Sequence, residues 1–297
     1  MNRFTPIATM LALAAPLALA EQAAPTADLS PGLVMGQTGQ WVITRSFTED
    51  SKAIVAETTS TLNATFECST EVRSVRGEGG SVVQVTFTRI IADGSGDEWT
   101  GSYDSADPAP KDATERDDFD RAFDTVAGRT VDLVLDSFGT IIDARGLSDL
   151  QNRDPVAATL AEAVLGIDAL DRCFGPILAI KPEAPFVIPV GESYEDTCDA
   201  MLSVGRVLTR VQLTLEDVKK STATLALGGR TQLFGNTHTD VSPKITEQEI
   251  TGSAAWDTAR HALMAYDLSI DWTLEAGGTQ LPIRIARTET IAIKPAH

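Results

Sequence analysis

The stretch "MAYDLSIDWTL", Met264 to Leu274, decides the fold. Met264, Tyr266, Leu268, Ile270, Trp272 and Leu274 fall on one side of an extended chain, and Ala265, Asp267, Ser269, Asp271 and Thr273 on the other. A period of two with one apolar and one polar face marks an antiparallel strand that lies between a core and water. The same alternation runs outward along the chain. In "SVVQVTFTRII" Val83, Val85 and Phe87 alternate with Gln84, Thr86 and Thr88. In "RVLTRVQLTLE" Val207, Val211, Leu213 and Leu215 oppose Arg206, Arg210, Gln212 and Thr214. Turn signals such as Gly77 to Gly80, Asp93 to Gly96, Asp136 to Gly139, Gly228-Gly229 and Gly277-Gly278 separate the runs. Roughly ten to twelve strands joined by such turns make a meander of long hairpins. The fold class is mainly β (α+β): antiparallel meanders forming a large curved sheet or half-barrel.

Two segments break the alternation. "DPVAATLAEAVLGIDALDRCF" places Val156, Leu160, Val164 and Ile167 at helical spacing, with Asp154 as a cap and Pro155 in the first turn. Gly175-Pro176 is expected to end that helix. The second is "GSYDSADPAPKDATERDDFDRAF", Gly101 to Phe123, which holds seven of the chain's carboxylates. There Thr114 and Asp117 form a capping box, Asp117 and Arg121 are spaced as an ion pair, and Phe119, Phe123 and Val126 make an apolar stripe ending at Gly128. The acids therefore suit a helix start and turns, where the backbone dipole favours negative charge. The organisation that follows is a leader over 1–20, a flexible lead-in over 21–37, and a first β-rich half over 38–146. A helical connection over 147–185 and a second β-rich half over 186–297 complete it. "VAGRTVDLVLDSFGTIIDARG" and "ITGSAAWDTARHALMAYDLS" align Gly128 with Gly252 and Asp136 with Asp257, as an internal duplication would.

The leader pairs a basic start at Arg3 with an apolar run from Ile7 to Leu17, closed by Ala18-Leu19-Ala20. This is a secretory signal peptide cut before Glu21, and it sends the protein to the periplasm or outside the cell. No other run reaches the length of a membrane helix. The chain carries 24 Lys+Arg against 42 Asp+Glu. Removing Arg3 leaves 23 − 42 = −19, which opposes nucleic acid and anionic surfaces. Export permits a disulfide among Cys68, Cys173 and Cys198, and Cys173–Cys198 is the favoured pair.

"SYDSADP", a short helix and "GRTVDLVLDSFGTIIDARGL" together resemble an uncharacterised family of exported β-rich bacterial proteins, common in planctomycete-type secretomes. The residues that carry the likeness are Tyr103-Asp104-Ser105, Gly128, Asp136 to Gly139 and Gly146-Leu147. "ITGSAAWDTARHAL" resembles the family's later hairpin, with His261 where a turn glycine is expected. The resemblance implies export and a β-rich fold, and it brings no catalytic residue.

Site chemistry is sparse. Asp93, Ser95, Asp97 and Asp104 fit four places of a calcium loop, but Glu98 occupies the glycine place and the context reads as a hairpin. His238, His261 and His297 have no second ligand at zinc spacing. No nucleophile elbow, phosphate loop or dinucleotide fingerprint occurs. No catalytic residue, metal or cofactor is expected. The remaining feature is the apolar sheet face, on which Trp41, Phe87, Tyr266 and Trp272 are candidate ligand-facing residues for an apolar small molecule or lipid. The alternatives are a structural or adhesive partner-binding protein and a hydrolase.

Overall fold

The computed structural model describes residues 24–52, 57–76, 80–97, 99–107, 118–147, 165–181, 184–202, 205–235, 243–277 and 283–296. Its strands are β1 (Thr26–Asp28), β2 (Thr38–Lys52), β3 (Glu57–Arg76), β4 (Gly80–Ser95), β5 (Thr100–Asp104), β6 (Thr130–Leu135) and β7 (Ile141–Arg145), then β8 (Val187–Pro189), β9 (Ser193–Leu202), β10 (Gly205–Lys219), β11 (Thr222–Gly235), β12 (Lys244–Asp257), β13 (Ala262–Ala276) and β14 (Ile283–Pro295). The helices are α1 (Asp118–Phe123) and α2 (Ile167–Leu178).

Twelve strands form one antiparallel sheet in the order β7-β6-β4-β3-β2-β14-β13-β12-β11-β10-β9, with β5 added to β4. Each half is a meander. The join is made by the last strand, β14, which pairs with β2 from Pro295 opposite Trp41 to Arg284 opposite Lys52. The two halves therefore share one sheet and one hydrophobic core. The sheet does not close, since β7 and β9 stand at its two edges. α2 packs against β7, β9 and β13 and so lies across the inner face between those edges. Unpaired edge groups invite association with other chains, and side-chain contacts at the helix engage both edges. The Asp171 carboxylate accepts the Ile141 N–H of β7. The Tyr194 hydroxyl of β9 donates to the Ile180 carbonyl just past the helix, at 2.5 Å.

The alternation set the inner face well. On β13, Tyr266, Leu268, Ile270, Trp272 and Leu274 are all buried. Met264 is the exception at 44 % exposed. A register shift between Ala255 and Trp256 pairs Trp256 with Leu263, so Leu263 takes the inward place at 2 % exposure. A similar shift between Glu67 and Cys68 lets both Phe87 and Ile90 of β4 point inward. Such bulges bend strands and curl the sheet.

Other expectations need correction. Gly175-Pro176 does not end the helix; Pro176 lies inside α2, which runs on to Leu178. Ile177 and Leu178 are buried, and that burial carries the helix past a residue lacking its N–H. The described part of the lead-in is docked. β1 pairs with β8, and Leu29 is completely buried. Cys173 is a free thiol, so the Cys173–Cys198 bond is not formed. Cys173 is buried on α2 over the middle of the sheet near Arg45 and Glu289, whereas Cys198 belongs to the edge strand β9, opposite Thr209. Cys68 is also free and buried. The start of the helical connection, Asp154 to Val164, and the capping pair Thr114 and Asp117 fall outside the described residues, as do His238 and His297. In α1 and the turn after it, Phe123 and Val126 are each 1 % exposed, as their stripe requires.

Candidate functional site

A cavity of about 700 Å³ opens at one end of the half-barrel, where β2 begins, β14 ends and β12 turns into β13. Trp41, Val72, Val83 and Leu263 supply its apolar wall from the sheet. Ile177 and Leu178 close it from the end of α2, and Leu33 from the lead-in. Trp41 can present an indole ring here because its one polar group is satisfied. The Nε1–H donates to Thr70 Oγ1 at 3.1 Å. Gly39 leaves room for that ring, since a Cβ there would come within 2.6 Å of Trp41 Nε1.

The rim is polar. Asp257 accepts the N–H groups of Ala259 at 2.9 Å and Arg260 at 3.1 Å, and this folds the β12–β13 turn. His261 follows with φ of +50°, a left-handed backbone that favours glycine. Arg260, His261, Lys294 and Asp257 are the charged residues and the histidine among those that line the cavity. The lead-in crosses beside them. Ser30 Oγ lies 3.2 Å from His261 Nδ1, and Gly32 passes so close that a Cβ would sit 2.3 Å from His261 Cβ. The Ser30 N–H and hydroxyl hold the Asp28 carboxyl below the usual range, and His261 adds to this. The order is thus carboxylate, hydroxyl, imidazole. The Ser30 hydroxyl stands between the Asp28 carboxylate and the His261 imidazole.

Further along the inner face lies a buried ion cluster. Glu289 of β14 receives Arg45 of β2 at 2.9 Å, Arg172 of α2 at 2.8 Å and Arg287 at 3.4 Å. Arg287 also reaches Glu49 at 3.6 Å and lies 5.0 Å from the Phe47 ring centroid. Burial would raise the Glu289 pKa, but the three guanidinium groups outweigh it and hold the carboxyl at about 2. The cluster pins α2 to the sheet. At the seam between α2 and β9, burial pushes Asp171 up to about 6, with Asp196 and Asp168 adding repulsion.

Of the four residues expected to face a ligand, Trp41 lines the cavity. Phe87 is 2 % exposed and packs edge-on against Phe66 and Phe174. Tyr266 borders a void of about 30 Å³ under α2, and Trp272 a shallow cleft of about 300 Å³ toward the other end of the sheet. Arg260, His261 and Lys294 were not singled out by residue type and spacing as ligand-facing. The signal for the ion cluster was phase: Arg45 is in step with Trp41 and Ile43, and Arg287 and Glu289 with Ile285 and Ile291.

The acid-rich segments have structural partners. Asp104 accepts from Arg89 at 2.9 Å and from the Ala106 N–H, and Asp93 from Asn63 at 2.9 Å. Asp93 and Asp104 belong to the paired strands β4 and β5. Among the described residues no group of three or more His, Cys, Asp or Glu could hold a metal ion. Asp136 and Asp257, aligned by the possible duplication, both fold turns by accepting backbone N–H groups. Gly128 and Gly252 differ: Gly128 has φ of +70° after α1, while Gly252 lies within β12.

No family model matches the chain, and no curated protein matches it. Among solved structures the chain is similar to lipovitellin, in a study of its lipid–protein interactions, at 8 % identity and a TM-score of 0.42. That match covers 91 % of this chain and 25 % of lipovitellin, so the chain spans a quarter of that protein's length. It is also matched to a KdgM porin in complex with disordered oligogalacturonate, at 5 % identity and a TM-score of 0.14, over 82 % of this chain and 97 % of the porin. Neither likeness carries a functional argument. No helix among the described residues is long and apolar enough to cross a membrane.

Proposed function

We propose that this is an exported, non-enzymatic protein of the bacterial envelope that binds or carries an apolar ligand. What supports the reading is the cavity of about 700 Å³ at the mouth of the half-barrel, within the 300–1,000 Å³ range of small-molecule sites and walled by Trp41, Val72 and Leu263. Water in an apolar cleft of this size is displaced favourably by hydrocarbon. Native mass spectrometry of protein purified from its source is expected to show a retained lipid-like mass. Its repeated absence from protein that rebinds no apolar probe overturns the proposal.

A structural or adhesive role is favoured by a different observation, the ten-residue edge strand β9, which has β10 as its one strand partner among the described residues. Crosslinking in the native envelope separates the two readings, because a structural role requires a stable complex and a carrier does not. Export itself rests on the leader, and its cleavage before Glu21 is checked by the N-terminal sequence of the mature protein.

A further inference from the structure

The carrier reading leaves the chemistry of the ligand open, and the lining of the cavity narrows it. The volume sets the first limit. A methylene takes about the space of a water molecule in the liquid, about 30 Å³. A cavity of about 700 Å³ therefore holds about 23 such groups, enough for one long chain with its head but too few for two.

The distribution of polarity sets the second limit. The lining is mostly apolar, with Trp41, Val72, Val83 and Leu263 from the sheet, and its charged residues are Asp257, Arg260 and Lys294. Arg260 is 84 % exposed in its side chain, and its contact with Asp257 is long, at 3.8 Å. Asp257 is itself occupied by two backbone N–H groups of the turn, which weakens its claim on Arg260. Lys294 is exposed and makes no ion pair among the described residues. His261 uses Nδ1 toward Ser30, and its ring is otherwise part of the lining. Two cationic side chains, Arg260 and Lys294, thus line the cavity together with His261 and one carboxylate, Asp257, in a chain of net charge −18. Elsewhere that acidity repels anions, so a cationic rim is a local feature with its own selectivity.

We propose that the cavity takes a single-chain amphiphile with an anionic head, a carboxylate or a phosphate. Its chain lies against Trp41, Val72 and Leu263, and its head lies between Arg260, His261 and Lys294. This rests on the carrier reading and specifies its substrate class. An amphiphile of this kind enters chain first, and its head remains at the rim in water, so no charge is buried without a partner.

Titration calorimetry on delipidated protein tests it, below the concentration at which the ligands form micelles. The probes are a long-chain fatty acid anion, a lysophospholipid with a phosphate head, the neutral fatty alcohol of the same chain length, and a diacyl phosphatidylglycerol dispersed as vesicles. Both anionic single-chain probes are expected to bind about tenfold more tightly than the alcohol, as two exposed charge pairs supply. The Arg260→Gln, Lys294→Gln double variant is expected to lose that advantage, so that the anionic chains bind it no more tightly than the alcohol does. Equal binding of charged and neutral chains, or an advantage untouched in the double variant, overturns the headgroup assignment and leaves the carrier reading standing. Extraction of the diacyl lipid with equal affinity overturns the single-chain limit. Failure of every probe to bind overturns the carrier reading as well.

Discussion

Replacing Glu289 by Gln removes the one carboxylate shared by Arg45, Arg172 and Arg287 while keeping its shape. The side chain is 4 % exposed, and those of Arg45 and Arg172 are 12 % and 13 % exposed, so solvent screens the cluster little. The folded carboxyl titrates at about 2 against 4.5 for the unreacted group. At 1.36 kcal/mol per unit, a difference of 2.5 units is about 3 kcal/mol of stability. The folded pKa is the lower one, so this contribution is complete above about 4.5 and is lost as the pH falls from there through 2. Glu289→Gln mimics the protonated state. It should cost about 3 kcal/mol at pH 7 and about half as much at pH 3, because wild type is then part-way through its own loss. Urea denaturation of wild type and variant at both pH values measures the gap, and changes shared by the two proteins cancel. Restoring balance by adding Arg172→Met should recover part of the loss, since an unpaired buried cation costs more than an apolar replacement. A gap under about 0.5 kcal/mol at pH 7, or one that does not shrink with acid, would refute the view that the cluster is held by charge.

Asp171 titrates in the opposite sense: its folded pKa of about 6 lies above the unfolded 3.8, so ionisation destabilises the fold as pH rises through that window. Asp171→Asn should therefore raise stability by up to about 3 kcal/mol at pH 8 and change it little near pH 4, and a loss at pH 8 in thermal melts contradicts this. Burial pushes the Cys68 thiol up to about 12 and also raises Cys173. Both should resist thiol reagents until denaturant is added, and non-reducing peptide mapping should recover no Cys173–Cys198 bridge; rapid native labelling of either thiol refutes their burial. Gly229 has φ of +148°, and a Cβ there would lie 2.0 Å from the Arg210 carbonyl oxygen. Gly229→Ala should destabilise by roughly 2–3 kcal/mol, and a melt within error of wild type shows that β10 and β11 can separate without cost.

Period-two alternation was enough to place Tyr266, Leu268, Ile270, Trp272 and Leu274 on the inner face, and Val207, Val211, Leu213 and Leu215 with them. It failed at Met264 because the shift at Ala255/Trp256 depends on the partner strand, and one extra residue there moves the inward place to Leu263. It also stopped short at Arg45, Arg287 and Glu289. Their phase put them inside, but a lone strand gives no reason to accept an inward charge. The reason is supplied by β2, β14 and α2 together, from residues as far apart as Arg45 and Glu289.

By itself, then, the sequence determined the class of fold, because alternation, turn glycines and the helical interruption are all local signals along the chain. Tertiary structure alone decided that β14 would join β2 and merge two meanders into one sheet. It decided too that α2 would span the edges, and that Trp41 would border open space while Phe87 is packed solid. Packing and empty volume are properties of several segments meeting at once, and the periodicity of each is the same whether the space beside it is filled or free.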